Sequence, residues 1–347
     1  MKKTICFKVN KPYRNNILFT KGGDLDFYYH VKIKLEQNNF KVGTQDLIDE
    51  KKSNYVISLD YRKDYKKNHG KNILIALESI AAVPETFKPS YLNKFDYVFT
   101  WNEDFHDNMK IFPLNYSYVL KFKKFIDFKD KQKLICNFSS NKLSNHKDEL
   151  YSERIKAIEY FNLNHPQEFD LFGYGWKKSF KYPNYYSLFQ KMNQTKFLRG
   201  IKKLIEYSRV FDSMIYTKYT VYKGLVPFEP VDSKINILQN YKFSICYENV
   251  LNVNGYITEK IFDCFKAGVV PIYLGPDNIK DIIPSNTFID KREFESYQEL
   301  YNFIINMSPR KYKEYITNIE NYLSSSDINK YKSENTADYF VKKILSL

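Results

Sequence analysis

Glycine is scarce in this chain, 11 of 347 residues, about half the usual share of ~7%. That excludes a collagen-like or glycine-linker architecture. Long apolar runs are missing as well; none approaches the ~20 residues needed to span a bilayer. The opening MKKTICFKVN carries two lysines, but its short apolar stretch is interrupted by Lys8 and Asn10. It reads as a first strand rather than a secretory signal. A protein of the cytoplasm is therefore expected. Histidines are few: His30, His69, His106, His146 and His165 form no H-x-x-x-H or similar pair. The four cysteines, Cys6, Cys136, Cys246 and Cys264, lie in or beside apolar stretches with no C-x-x-C spacing. They read as buried, reduced thiols behaving as small hydrophobes.

What is present is globular. Hydrophobic residues are 43% and charged residues 27% of the chain, and at roughly 150 residues per domain the length predicts about two domains. Fifty-four basic against 40 acidic residues leave a net charge of +14, which raises the question of an anionic partner. Most of the lysines are scattered among Asn, Ile, Tyr and Phe. Two concentrations stand out: residues 121–133, with six lysines against two aspartates, and 196–209, with Lys196, Arg199, Lys202, Lys203 and Arg209 against Glu206. Phe197, Leu198, Ile201, Leu204 and Ile205 recur there at helical spacing, the pattern of a basic surface helix that can lie on an anionic membrane. Nucleic acid is not an expected partner. Asp24-Leu25-Asp26 has Asp-x-Asp spacing, but it precedes a helical pattern over 27–40 and reads as a helix cap. No metal site is expected.

Along the chain, strand and helix patterns alternate. Strands are predicted over 4–9, 55–60, 72–77 and 97–101, with a helix over 26–37. After the lysine-rich linker come strands over 133–138, 169–172, 241–247 and 269–274, with helices over 149–161 and 258–266. A last helix over 331–347 suits the domain junction. Such alternation predicts parallel sheets covered by helices. The stretch 176–232 has no clear period. Domain boundaries are set at 1–127 and 128–330, with the last helix packing back on the first domain.

The chemistry concentrates in residues 241–275. A strand delivers Glu248 and Asn249 to its carboxyl end, where ligands bind in parallel α/β sheets. A loop containing Gly255 then enters a helix whose first turn holds Glu259 and Lys260. A helix amino terminus suits a diphosphate, and Lys260 adds a point charge there. Tyr256 offers a ring for stacking on a base or sugar. Taken singly, each has a plain alternative; Glu259 alone would favour the helix dipole.

Tyr247-Glu248-Asn249, Tyr256-Ile-Thr258-Glu259-Lys260 and Val270-Pro271…Gly275 closely resemble the signature of the α-1,3/1,4-fucosyltransferases, which use GDP-fucose. The six residues between Asn249 and Tyr256 make a loop one longer than in most members. Weaker resemblance covers Asn137-Phe-Ser-Ser140-Asn141 with the downstream Arg154, which on residues alone is a surface charge. It extends to Leu74-Ile-Ala-Leu-Glu78-Ser79, similar to the family strand that ends in a general base.

The resemblance implies two facing Rossmann-like domains, the GT-B arrangement, and a metal-independent inverting transfer needing no cofactor beyond the donor. It implies Glu78 as general base, with Ser140, Asn141, Arg154, Glu248, Asn249, Tyr256, Thr258, Glu259 and Lys260 on the donor side. The expected partners are a nucleotide-sugar donor and a glycan acceptor, in the synthesis of a surface polysaccharide or lipopolysaccharide at the inner membrane face. Two alternatives stay open: a GT-B transferase for another nucleotide-linked deoxysugar, and a non-enzymatic basic anion-binding protein.

Overall fold

The computed structural model describes residues 2–120, 125–176 and 234–347, with isolated positions between 179 and 226. Lys121, Lys123 and Lys124 of the linker lie outside the described residues, as do the five basic residues of the 196–209 pattern.

The first domain is a six-stranded sheet. Its strands are β1 (Lys3–Lys8), β2 (Phe40–Thr44), β3 (Tyr55–Leu59), β4 (Lys71–Ala76), β5 (Tyr97–Thr100) and β6 (Ile111–Pro113). They lie in the order β2-β1-β3-β4-β5-β6, and every pairing is parallel. The second domain repeats the plan with β7 (Lys133–Phe138), β8 (Phe169–Phe172), β9 (Tyr241–Tyr247), β10 (Val270–Leu274) and β11 (Ile289–Asp290). Their order is β8-β7-β9-β10-β11, again all parallel. This is the expected pair of Rossmann-like sheets.

Strand sequences such as YVISL and YKFSICY are almost continuously buried, as parallel strands covered on both faces must be. In each sheet the first strand sits between the second and the third, which creates a switch point beside β1 and another beside β7. Crevices at such points, outside the carboxyl ends of the strands, are where open α/β sheets bind ligands.

Helices α1 (Asp26–Gln37), α2 (Tyr151–Asn164), α3 (Glu259–Ala267), α4 (Tyr297–Ile305), α5 (Pro309–Ser324) and α6 (Ser333–Ser346) cover the sheets. α6 packs on α1 and the first sheet. Phe340 is fully buried, 5.8 Å from Phe27 and 4.6 Å from Phe99 between ring centroids. Lys34 pairs with Asp338 at 2.7 Å. The two crossings between domains also meet: Tyr118 N–H donates to Tyr331 O at 2.7 Å, and Ser333 N–H to Tyr118 O at 3.2 Å.

Several elements escape the sequence patterns. β2 is interrupted by an exposed Lys41 and carries a buried glycine, Gly43, and β11 is only two residues. α4 and α5 did carry readable starts. Ser296-Tyr-Gln-Glu299 has capping-box spacing and Ser296 does accept from Glu299 N–H, while Ser308 caps a helix that begins at Pro309. The cap expected of Asp24-Leu25-Asp26 is corrected. α1 has no side-chain cap. Asp26 Oδ1 accepts from Gly22 N–H at 2.8 Å, and Asp24 lines a cavity instead.

Because Phe340 ties the last helix to the first core, Phe340→Ala should lower unfolding free energy by about 3–5 kcal/mol. Chemical denaturation checks this, and a loss under about 1 kcal/mol would mean that α6 packs loosely.

Candidate active site

Two adjoining cavities open at the switch points, with volumes of about 790 and 370 Å³. The larger is walled mainly by the first domain, including Asn10, Tyr28 and Asp60. The smaller is walled mainly by the second, including Ser140, Arg154, Lys234 and Thr258. Both touch Glu78, Tyr116, Lys142, Tyr151 and Glu259.

Glu248, at the end of β9, is fully buried. Its Oε1 accepts from Thr258 N–H at 2.8 Å and from the Tyr273 hydroxyl at 3.2 Å. Its Oε2 accepts from the Thr258 hydroxyl at 2.7 Å and Lys260 Nζ at 2.9 Å. A carboxylate offers about four lone-pair sites, and all four are taken. The direct donor contact expected of Glu248 therefore gives way to an internal role: it anchors the start of α3. Thr258 stands at the amino-cap position but spends its hydroxyl on Glu248, so the helix has no side-chain cap. Glu259 accepts from its own N–H, and the next amino-terminal N–H groups of the helix face no side-chain cap.

Lys260 is 16% exposed and also lies 3.7 Å from Glu259 Oε1. Burial favours its neutral form, but Glu248 and Glu259 outweigh that and hold it firmly protonated. Burial likewise works against the Glu259 anion, yet Lys260 and Lys234 pull its carboxyl down to about 2. Lys234, which the sequence patterns did not single out, is held by Asp263 at 3.0 Å. It follows just after the aperiodic stretch 176–232, where no motif marks it.

Arg154 is 4% exposed. Its Nη2 donates to Tyr247 O at 2.8 Å, Glu248 O at 2.9 Å and Asn249 Oδ1 at 3.4 Å. No carboxylate lies within ion-pair distance among the described residues, and Nε has no partner there. A buried cation without an anion is costly unless a ligand supplies one. Arg154 is thus aimed inward rather than being a surface charge.

The remaining expected residues divide. Ser140, Asn249, Tyr256, Thr258, Glu259 and Lys260 line the smaller cavity. Asn141 does not; its amide donates to Gly175 O at 3.0 Å and secures the loop after β8. Tyr256 is not a free stacking platform. Its ring is 1% exposed and packs on Trp101 with centroids 4.6 Å apart, while its hydroxyl accepts from Asn249 Nδ2 at 3.2 Å. Gly255 makes that approach possible: at φ +80°, an added Cβ would lie 2.6 Å from Trp101 O. On the opposite wall, Phe138 and Phe172 stack in parallel 4.3 Å apart. Glu78 is exposed to both cavities, and its carboxylate has no hydrogen-bond partner among the described residues.

A cationic pocket at a helix start, beside a free carboxylate, is the arrangement of a group transfer from an anionic leaving group. Comparison with known proteins agrees. Residues 229–340 match the family described as glycosyltransferase family 10 (fucosyltransferase), C-terminal part. The match covers about a third of the chain, the part that carries β9, α3 and the residues around Glu248.

An alpha-(1,4)-fucosyltransferase of Arabidopsis thaliana is 39% identical over 80 residues, 22% of this chain and 20% of the relative. An alpha-(1,3)-fucosyltransferase of Helicobacter pylori is 33% identical over 117 residues, 33% of this chain and 23% of the relative. The match thus spans about a fifth of the length of these curated relatives. A crystal structure of an alpha1,3-fucosyltransferase with GDP aligns over 99% of this chain and 90% of its own, with TM-score 0.53 and 15% identity. That likeness shows the GT-B fold.

Glu248→Gln would remove the nearer of the two negative partners of Lys260. It should cost roughly 3 kcal/mol, the low end for breaking a buried pair because Lys260 keeps some exposure. Urea denaturation measures it, and a variant as stable as the parent would remove Glu248 from its anchoring role.

Proposed function

We propose that this chain is an inverting fucosyltransferase that takes L-fucose from GDP-fucose and forms a glycosidic bond to a hydroxyl of a glycan acceptor. The observation that carries the proposal is Glu78, an unpaired carboxylate on the wall shared by an aromatic, carboxylate-lined cavity and a cationic one. The names of the relatives, which are fucosyltransferases, supply the sugar and the nucleotide.

In this mechanism the smaller cavity holds the donor. Arg154, Lys260 and Lys234 and the open amino terminus of α3 take the diphosphate. As the anomeric C–O bond to phosphate breaks, negative charge grows on the leaving oxygen, and these groups bind it more strongly than the ground state. The acceptor in the larger cavity attacks the opposite face of the anomeric carbon. Glu78 takes the hydroxyl proton as the new C–O bond forms, and GDP leaves. Neutralisation by fixed cations supports a reaction without Mg²⁺, to be tested by activity in EDTA. Among the described residues no helix is long and apolar enough to cross a membrane. Assembly of surface polysaccharide or lipopolysaccharide, by a cytoplasmic enzyme touching the anionic inner membrane face, is the setting we propose.

Thermal unfolding with GDP, UDP, CMP and dTDP tests the donor. A nucleotide at ~100 times its Kd adds about 2.7 kcal/mol, so GDP alone should raise Tm. A rise with UDP or dTDP alone would assign another nucleotide-linked sugar, and none with any nucleotide would overturn the transferase. Glu78→Gln should lower turnover roughly 10²–10⁴-fold with GDP affinity intact. If that variant turns over normally, Glu78 is not the base and Glu85 is the next carboxylate to change.

A further inference from the structure

Asp60 follows directly on β3, at the switch-point side of the first sheet. It holds a left-handed backbone with φ 47°, a conformation uncommon outside glycine that Asp and Asn tolerate best. What that conformation accomplishes is specific. Asp60 Oδ1 accepts from Leu77 N–H at 2.8 Å and Glu78 N–H at 2.9 Å. The carbonyl of the same peptide, Leu77 O, accepts from Trp101 Nε1 at 2.8 Å and from the Tyr116 hydroxyl. The backbone that presents Glu78 is therefore gripped on its donor and acceptor sides alike.

Asp60 also lines the larger cavity next to Glu78, and its Oδ2 has no hydrogen-bond partner among the described residues. No lysine or arginine pairs with it there. The groups that face it are Tyr28 from α1, Tyr91 from the turn before β5, Tyr116 beyond β6, and the Glu78 carboxylate. Lys142, Asp24 and Glu259 stand further round the same wall. Among the described residues, the charged group that acts on it is another carboxylate, an expensive feature to keep without a use.

We propose that Asp60 is the positioning residue of the general base: its carboxylate fixes the peptide that presents Glu78 to the cleft. This rests on Glu78 being the base. The physical reason is that an ionised carboxylate accepts those two N–H bonds more strongly than a neutral one and so holds Glu78 in line. Burial and the charge of Glu78 push the Asp60 carboxyl up to about 7 against the two N–H bonds that lower it. Asp60 is then charged only above neutrality.

Asparagine at this position keeps both N–H acceptors and tolerates the left-handed backbone, so Asp60→Asn removes charge alone. Asp60→Ala removes the grip as well. The experiment is the pH profile of kcat/KM for both variants, with GDP affinity as control and Glu78→Gln in parallel. Wild-type kcat/KM should climb as pH passes through about 7. In Asp60→Asn that limb should disappear, because asparagine does not ionise, with GDP affinity unchanged. Asp60→Ala should lose at least roughly tenfold in kcat, largely restored in Asp60→Asn at its own optimum. An unmoved limb in Asp60→Asn, with Glu78→Gln inactive, overturns the proposal and leaves the base assignment standing. A fully active Glu78→Gln overturns both.

Discussion

A single buried carboxylate organises the second domain. Glu248 continues the sheet through its backbone, donating its N–H to Leu274 O at 2.8 Å, while its side chain is closed inside four donors. An ionised group taken out of water costs several kcal/mol unless its hydrogen bonds are replaced. Here they are replaced by residues of three other places: the cap of α3, its first turn, and β10. Each of those must then stand where Glu248 requires. The orientation of α3, the position of Lys260 and the missing side-chain cap are one consequence of satisfying one anion.

The same loop reaches the other domain. Asn249 links Arg154 to Tyr256, Tyr256 lies against Trp101, and Trp101 donates to the peptide that carries Glu78. Asn278 Nδ2 also donates to Glu103 Oε2 across the junction, at 3.3 Å. Any side chain in place of Gly255 would have to displace backbone there. Glu78 and the cationic pocket are thus held in register by packed side chains and hydrogen bonds close to the cleft, while α6 ties the domains together on the far side. Distances between groups held this way respond to small displacements, which is what a reaction that depends on alignment needs.

The strands were legible because parallel strands buried on both faces read as unbroken apolar runs; β7, β8 and β9 fall where the pattern put them. β2 and β11 were not, since a strand with an exposed lysine and a glycine, or of two residues, carries no period. In the site, clustered motifs pointed to the right loop but not to the direction of each side chain. Glu248 and Tyr256 stand in the motif as polar ligands would, yet both are turned inward to hold the loop. Conversely, Arg154 looks on a helix like any surface arginine, and only its burial beside the end of β9 reveals it. Asp60 carries no motif at all: its position depends on a backbone angle and on a pairing with residues 77 and 78.

Charge in the cleft is sorted by side. Arg154, Lys234 and Lys260 stand around the smaller cavity and Asp24 and Asp60 around the larger, with Glu78, Glu259 and Lys142 on the shared wall. In the proposed transfer, negative charge moves with the departing diphosphate toward the cations, and a proton moves the other way, toward the carboxylates. Both displacements run down the same fixed field. A polar environment built before the reaction need not reorganise during it, which is where preorganised electrostatics gains over water. The net charge of +14 says nothing of this, because the sum hides the separation. The relevant quantity is the difference across a few side chains, and the fold sets that difference by where it ends each strand.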